Sequence, residues 1–460
     1  MVESAQFETA LALSRFGLGA GPDGVDAVGG DVRAALHDEV HHGALRVTSK
    51  DRLPPTRELL KEMLDLINLE HRQAAALQAN PNLPLPVNDN PVATRSKAEI
   101  DARYNGSYIQ PRIGFNERMV MFWANHFAVS TAKSRTVRIM TGAYEREAIR
   151  PNIFGRFTDL VLAVETHPCM LTFLDNTTSI GPESRDSAVV PHGINENLAR
   201  EIMELHVLGV GSGYTQADVT SFANALTGWT VNHHENDPEM PYGEFTFIEG
   251  NHQPGSQVVL GKTYHNFGFF QAANVLTDLC HRPAAARFIA TKLARHFVAD
   301  DPPQSLVDRL TQTFMATDGN LAEVSHALID SDEAWVPQTV KVRSPQEWLI
   351  AIMRSGNVTM QPGTITNDLM MMGQPQWNPG GPNGFSDQVA AWATPEGLTA
   401  RMGVAGALAA LAPADTDPRA FADKILGARL SDATRAAVAH AESTTQGLSL
   451  VFLSPEFLRR

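Results

Sequence analysis

Between Asn195 and His206 the chain places Glu196, Asn197, Arg200, Glu201, Glu204 and His206 on one short stretch, INENLAREIMELHVLG. Two carboxylates held close, above all when partly buried, push their proton affinities apart, so that one can hold a proton while the other stays ionised. Glu201 and Glu204 could therefore act as general acid and base, or chelate a hard cation. Arg200 and Asn197 would orient them or hold a substrate. The plainer reading is a solvated helix face with an Arg200–Glu204 pair worth about 0.3 kcal/mol. At about 100° per residue, Asn197, Glu201, Glu204 and Leu208 fall on one face with Arg200 beside them, next to an apolar stripe of Leu198, Ile202 and Leu205. His206 then lies about 160° from Glu201. One regular helix cannot aim Glu201, Glu204 and His206 at a single metal.

A second constellation is NERMVMFWANHFAVS, starting at Asn116. On a helix Met119, Phe122 and His126 share a face, while Trp123 and Phe127 stack on the next. Asn125 and His126 interrupt an aromatic run, and buried polar groups need partners. His126 is an acid–base candidate if its helix faces Glu201; otherwise it is a core histidine satisfied by its neighbours. Trp229 could offer a substrate an apolar platform. His233, His234, His252 and His265 occupy an irregular stretch where imidazoles can bind metal, but no ExxH or HExxH spacing accompanies them. GVGSG follows the carboxylate helix rather than preceding one, which suits a left-handed cap better than a phosphate loop. Thr215 and Asp218 then resemble a capping box opening the next helix.

The elements that must position these residues are mainly α. Apolar residues recur at helical spacing in TRELLKEMLDLINLEHRQAAALQ, through residues 112–175, from Asn195 to Trp229, and in AARFIATKLARHFV, QSLVDRLTQTFMA and LAEVSHALIDS. Residues 79–96, rich in proline and asparagine, read as a loop, and GQPQWNPGGPNGFSDQ as another. Residues 230–267 lose the helical period and alternate over short runs, predicting an irregular insertion with a small β-hairpin. The expected organisation is one large helical domain spanning 1–460.

Composition narrows the class. The chain has 460 residues, 43% hydrophobic and 19% charged, with a formal net charge of −14. That balance supplies no basic excess for general nucleic-acid binding. Cys169 and Cys280 are too few for a disulfide framework and read as buried thiols. The first residues lack a basic region followed by an unbroken apolar run, so they do not read as a signal peptide. VAGALAALAPA is about half the length of a membrane span. A cytoplasmic protein is the default expectation; export stays open.

These segments resemble a bacterial family known only as domain of unknown function 1800. The resemblance rests on FWANHF, THPCMLTFLD, NENLAREIMELHVLGVGSGYTQADV, ALTGW, ATKLARHFVADDPP, MMGQPQWNPGGPNGFSD and LSPEFLRR, in the family's order and over nearly the whole chain. It implies a mainly helical fold and a partner protein similar to sulfatases and alkaline phosphatases. It brings no catalytic residues. Asn224 stands where family members often carry an arginine, so that cation is missing here. The expectation is a hydrolase-like enzyme with Glu201, Glu204, His126 and Arg200 as catalytic residues. Asn125, Asn195, Asn197 and Trp229 would bind substrate, with a divalent cation as one cofactor option. The alternative is a non-catalytic binding or accessory protein acting with the sulfatase-like partner.

Overall fold

A computed structural model describes residues 2–82, 90–110, 112–188, 193–233, 241–413 and 415–460. The described chain is mainly helical, and the ends of its helices follow local chemistry. Gln304–Ala316 and Leu321–Ile329 form two of the helices, the second opened by Asn320, whose side chain accepts from the Ala322 and Glu323 amides. Pro345–Gly356 starts at a full capping box made by Ser344 and Glu347 and stops at Asn357, which adopts the left-handed conformation. Thr215 and Asp218 make the expected capping box at the head of Gln216–Leu226. Gly209, Gly211 and Gly213 before it all have positive φ, as a capping turn requires.

The loop expected over 79–96 is shorter than that. The Thr56–Ala79 helix runs to its edge, and Pro91–Ala102 is helical. Proline suits a first helical position because its missing N–H would be unpaired there, and Asn90 caps the turn by accepting from Ala93. Residues 83–89 of that loop lie outside the described residues.

The expected insertion holds two small antiparallel ribbons. Strands β1 (Trp229–Val231) and β2 (Phe245–Phe247) pair Thr230 with Thr246; β3 (Gln257–Val259) and β4 (Lys262–Tyr264) pair Val258 with Thr263. Leu260 and Gly261, both at positive φ, make the tight turn between β3 and β4. The Leu260 amide donates to Asp218 Oδ1 at 2.6 Å, pinning this ribbon to the Gln216–Leu226 helix.

Three stretches depart from the regular helix: Arg103–Ser107, Glu145–Ile149 and Ile202–Val207 are π-turns, with amides bonding five residues back. The first two flank a buried ion network. Arg103 reaches Glu99 Oε2 at 2.6 Å and Glu145 Oε1 at 2.9 Å. Arg150 reaches the same Glu145 oxygen and makes a two-pronged contact with Glu117, all at 2.8 Å. These charges join five elements in the interior beside a core built on Trp123, Trp229, Trp348, Phe16 and Phe115. Among the described residues no helix is long and apolar enough to cross a membrane.

Candidate functional site

The carboxylate stretch is α-helical only over Asn197–Glu201 and then widens into the π-turn. This corrects the expectation of one regular helix. Leu208 donates to Met203, five residues back, at 3.2 Å. Residues five apart then lie nearly one above the other, so His206 comes to the side of Glu201 instead of facing away. Leu205, expected in the apolar stripe, is only half-buried, and Met203 is fully buried in its place.

Glu201 and Glu204 are half-buried, and neither has a hydrogen-bond or ion-pair partner among the described residues. Burial raises the Glu201 carboxyl above its ordinary value; His206 and Arg200 oppose the rise, and the charges of Glu204 and Glu165 add to it. Arg200 does not pair with Glu204. Its guanidinium lies 2.9 Å from Glu196 Oε2, and Glu196 also accepts from Gln216 and Thr220. Asn195 turns its side-chain oxygen to the Asn197 amide at 2.8 Å, and Asn197 itself is exposed.

His206 is buried, with Nδ1 2.8 Å from Glu165 Oε1, and Glu165 is equally buried. The π-turn and the Phe115–His126 helix meet here: His126 Nε2 donates to the His206 carbonyl at 2.8 Å. The expected stacking is present, with Phe122 on His126 and Trp123 on Phe127. Burial pushes His126 well below the ordinary imidazole value, with Lys292 and His206 adding to the effect. Among the described residues three polar atoms in this pocket of the core have no partner: His126 Nδ1, His206 Nε2 and Glu165 Oε2. Trp229 is fully buried against Phe269, 5.1 Å between ring centres, and so presents no open face to a substrate. Asn224 Oδ1 is buried and has no partner among the described residues.

Asn125 points the other way, into a cavity that sequence reasoning did not find. The walls come from the Phe115–His126 helix, the π-turn at Glu145, the start of Pro345–Gly356, the loop from Gln374 to Trp392, and His296 and Arg460. Its volume of about 90 Å³ is room for roughly six waters. Asn125 holds the loop in place with a two-way clamp, donating to the Phe385 carbonyl at 2.8 Å and accepting from its amide at 2.7 Å. Thr131 donates to the Trp377 carbonyl at 2.9 Å, and Asn378 accepts from Ser130 and Ala132. Trp377 sits at φ +51°, a conformation that costs a bulky residue about 1–3 kcal/mol and is kept only when its surroundings impose it.

The cavity's charges are settled behind its walls. Glu347 lies 3.2 Å from Arg118 and 2.9 Å from Arg460, which hold its carboxyl low against burial. His296 Nδ1 donates to Asp387 Oδ1 at 2.9 Å, and Nε2 accepts from Arg118 at 3.0 Å. Burial and then Arg460 push His296 down to about 4, so the ring is neutral at pH 7. These residues went unnoticed because glutamine is an ordinary surface residue and an Asp–His contact across 91 positions leaves no local spacing.

Among the described residues no three His, Cys, Asp or Glu side chains are grouped to hold a metal ion. His252 is buried with Nδ1 on the Thr227 carbonyl, His265 is exposed beside Ser256, and His234 lies outside the described residues. Cys169 and Cys280 are buried free thiols.

A family model described as protein of unknown function (DUF1800) matches residues 11–459, and the chain belongs to that family. Neither the curated proteins nor the solved structures provide a match.

Proposed function

We infer that this chain is a binding protein for a small polar molecule, held in the cavity under the Gln374–Trp392 loop. The observation that supports this is convergence of polar side chains. Asn125, His296, the Gln374–Asp387 loop and Arg460, from four segments far apart in sequence, meet at one concave site. Ligand sites typically combine a concave wall with a few convergent polar groups on a rigid frame. The cavity's histidine and carboxylates are engaged by arginines or by each other, which suits recognition better than proton transfer. Replacing Ala124, a helical residue on the wall, with Leu should fill the space without disturbing the helix. Ligand-observed NMR against a mixed metabolite library should yield hits with the wild type that disappear in Ala124→Leu. Hits that bind both proteins equally, or no hits at all, would remove the cavity from consideration.

A hydrolase-like enzyme is the second reading, supported by the free Glu201 and Glu204 carboxylates and the raised proton affinity of Glu201. Here Glu201 would hold the proton as general acid and Glu204 would stay ionised. A hydrolase substrate panel in which Glu201→Gln behaves as the wild type would discard it. The sulfatase-like partner implied by the family resemblance belongs to the binding-protein reading, as the protein that would receive the ligand; co-purification of the two chains tests it.

A further inference from the structure

Resting on the cavity being a binding site, we propose that its ligand is a neutral hydroxyl-rich ring, of the size of one sugar or cyclitol. The cavity carries an unmatched set of hydrogen-bonding atoms. Glu145 is 3% exposed, and both of its arginine contacts fall on Oε1, leaving Oε2 without a donor. Asp387 receives His296 on Oδ1, and its Oδ2 has no partner among the described residues. Both carboxyls are ionised. Burial opposes the charge, but Arg103 and Arg150 outweigh it at Glu145, and His296 with Lys292 and Lys341 brings Asp387 to about 2.

Donors face these acceptors. Gln374 Oε1 is taken by the Gln346 amide at 2.8 Å, and since a backbone N–H can only donate, the Gln374 Nε2 hydrogens are left over. Gln376 Oε1 accepts from the Tyr104 hydroxyl at 2.7 Å, which again leaves Nε2. Among the described residues the Tyr108 hydroxyl lines the space with no bond to the protein, while the Gln346 side chain is engaged with the Tyr104 hydroxyl. A ligand must therefore supply donors to two carboxylate oxygens and acceptors to two amides. An ammonium group supplies only donors, and a carboxylate only acceptors. Hydroxyl groups supply both. The local charge also argues for a neutral guest, because Glu145 already has Arg103 and Arg150, and Asp387 has Lys341 close by. Trp377 and Trp392 add aromatic walls against which the C–H face of a ring can pack. The 90 Å³ is the space open to the centres of water molecules, and six waters at liquid density fill roughly 180 Å³, the bulk of one six-membered sugar.

Titration calorimetry of the full chain with glucose, galactose, N-acetylglucosamine and myo-inositol, beside ethanolamine, spermidine, acetate and succinate, tests the assignment. The expected result is saturable binding of at least one of the four polyols, weakened about 5- to 10-fold in Tyr108→Phe. Because that hydroxyl bonds nothing in the protein, the variant's melting temperature should match the wild type. Gln376→Leu is the second variant, expected to weaken the same polyol. Binding of the amines or carboxylates alone overturns the polyol assignment and leaves the cavity as a site. So does failure of all four polyols to bind when library compounds sensitive to Ala124→Leu do bind. Polyol binding untouched by both Tyr108→Phe and Gln376→Leu overturns the assignment to this cavity.

Discussion

Asn125 and His126 are neighbours in sequence yet bond in opposite directions: Asn125 clamps the Phe385 backbone, and His126 donates to the His206 carbonyl. One helix end thus ties the cavity's roof to the turn that carries Glu204 and follows Glu201. The two candidate centres share a support without sharing a ligand.

Asn125→Leu should release the loop that roofs the cavity. Two hydrogen bonds are lost and the Phe385 amide and carbonyl are left unpaired, a cost of about 2–3 kcal/mol. Urea denaturation should show the loss, and ligands that depend on the cavity should stop binding. Unchanged stability together with unchanged binding would show that the clamp is dispensable.

Glu204→Gln should change stability by less than about 0.5 kcal/mol, since the carboxylate has no partner to strand and Arg200 is held by Glu196. Glu201→Gln should leave the melting temperature unchanged or raise it, because burial already disfavours that charge. A drop of several kcal/mol in either variant would mean that the motif holds the fold together through contacts not seen here.

Stability should fall as the solution is acidified from neutrality toward pH 5. His296 takes up a proton near 4 in the fold and near 6.5 when unfolded, so between those values the unfolded chain binds the extra proton. The expected loss by pH 5 is about 2 kcal/mol, and His126 shifts in the same direction. Asp387 and Glu347 work differently: their carboxyls are held low, so their contribution persists until the pH drops below about 4. His296→Gln keeps a donor for Asp387 and an acceptor for Arg118, and should flatten part of the decline in thermal melts between pH 7 and 5. An unaltered slope would place the titration elsewhere.

Arg150→Met should cost about 3–5 kcal/mol, because it leaves Glu117 without its cation and Glu145 with only one. Adding Glu117→Met should recover part of that loss, since replacing both members of a buried pair with apolar groups is often close to neutral. Chemical denaturation of the single and double variants separates the two. Equal loss in both would argue that packing, rather than charge, dominates at this junction.

Much of the architecture was legible along the chain. QSLVDRLTQTFMA coincides with the Gln304–Ala316 helix, and the Thr215–Asp218 box stands where its residue types put it, because caps are local chemistry. The placement of His206 was not legible: a reading at 100° per residue assumes an α-helix, and nothing local announced the wider turn. Trp229 was readable as an aromatic beside a glycine, but its burial depends on Phe269, 40 residues on. The cavity was out of reach for the same reason. Tyr108, Gln374 and Arg460 acquire their shared meaning only through contacts that span most of the chain.

The three π-turns have a consequence for how this chain can diverge. Each holds one residue more than an α-helical path between the same flanks would need. Removing a single residue such as Leu205 would let Ile202–Val207 close as ordinary α-helix and swing one flank against the other by about 100°. Glu201 would then leave the side of His206, and His206 would leave Glu165. Descendants of this sequence can exchange side chains along Arg103–Ser107, Glu145–Ile149 and Ile202–Val207 far more readily than they can gain or lose a position there.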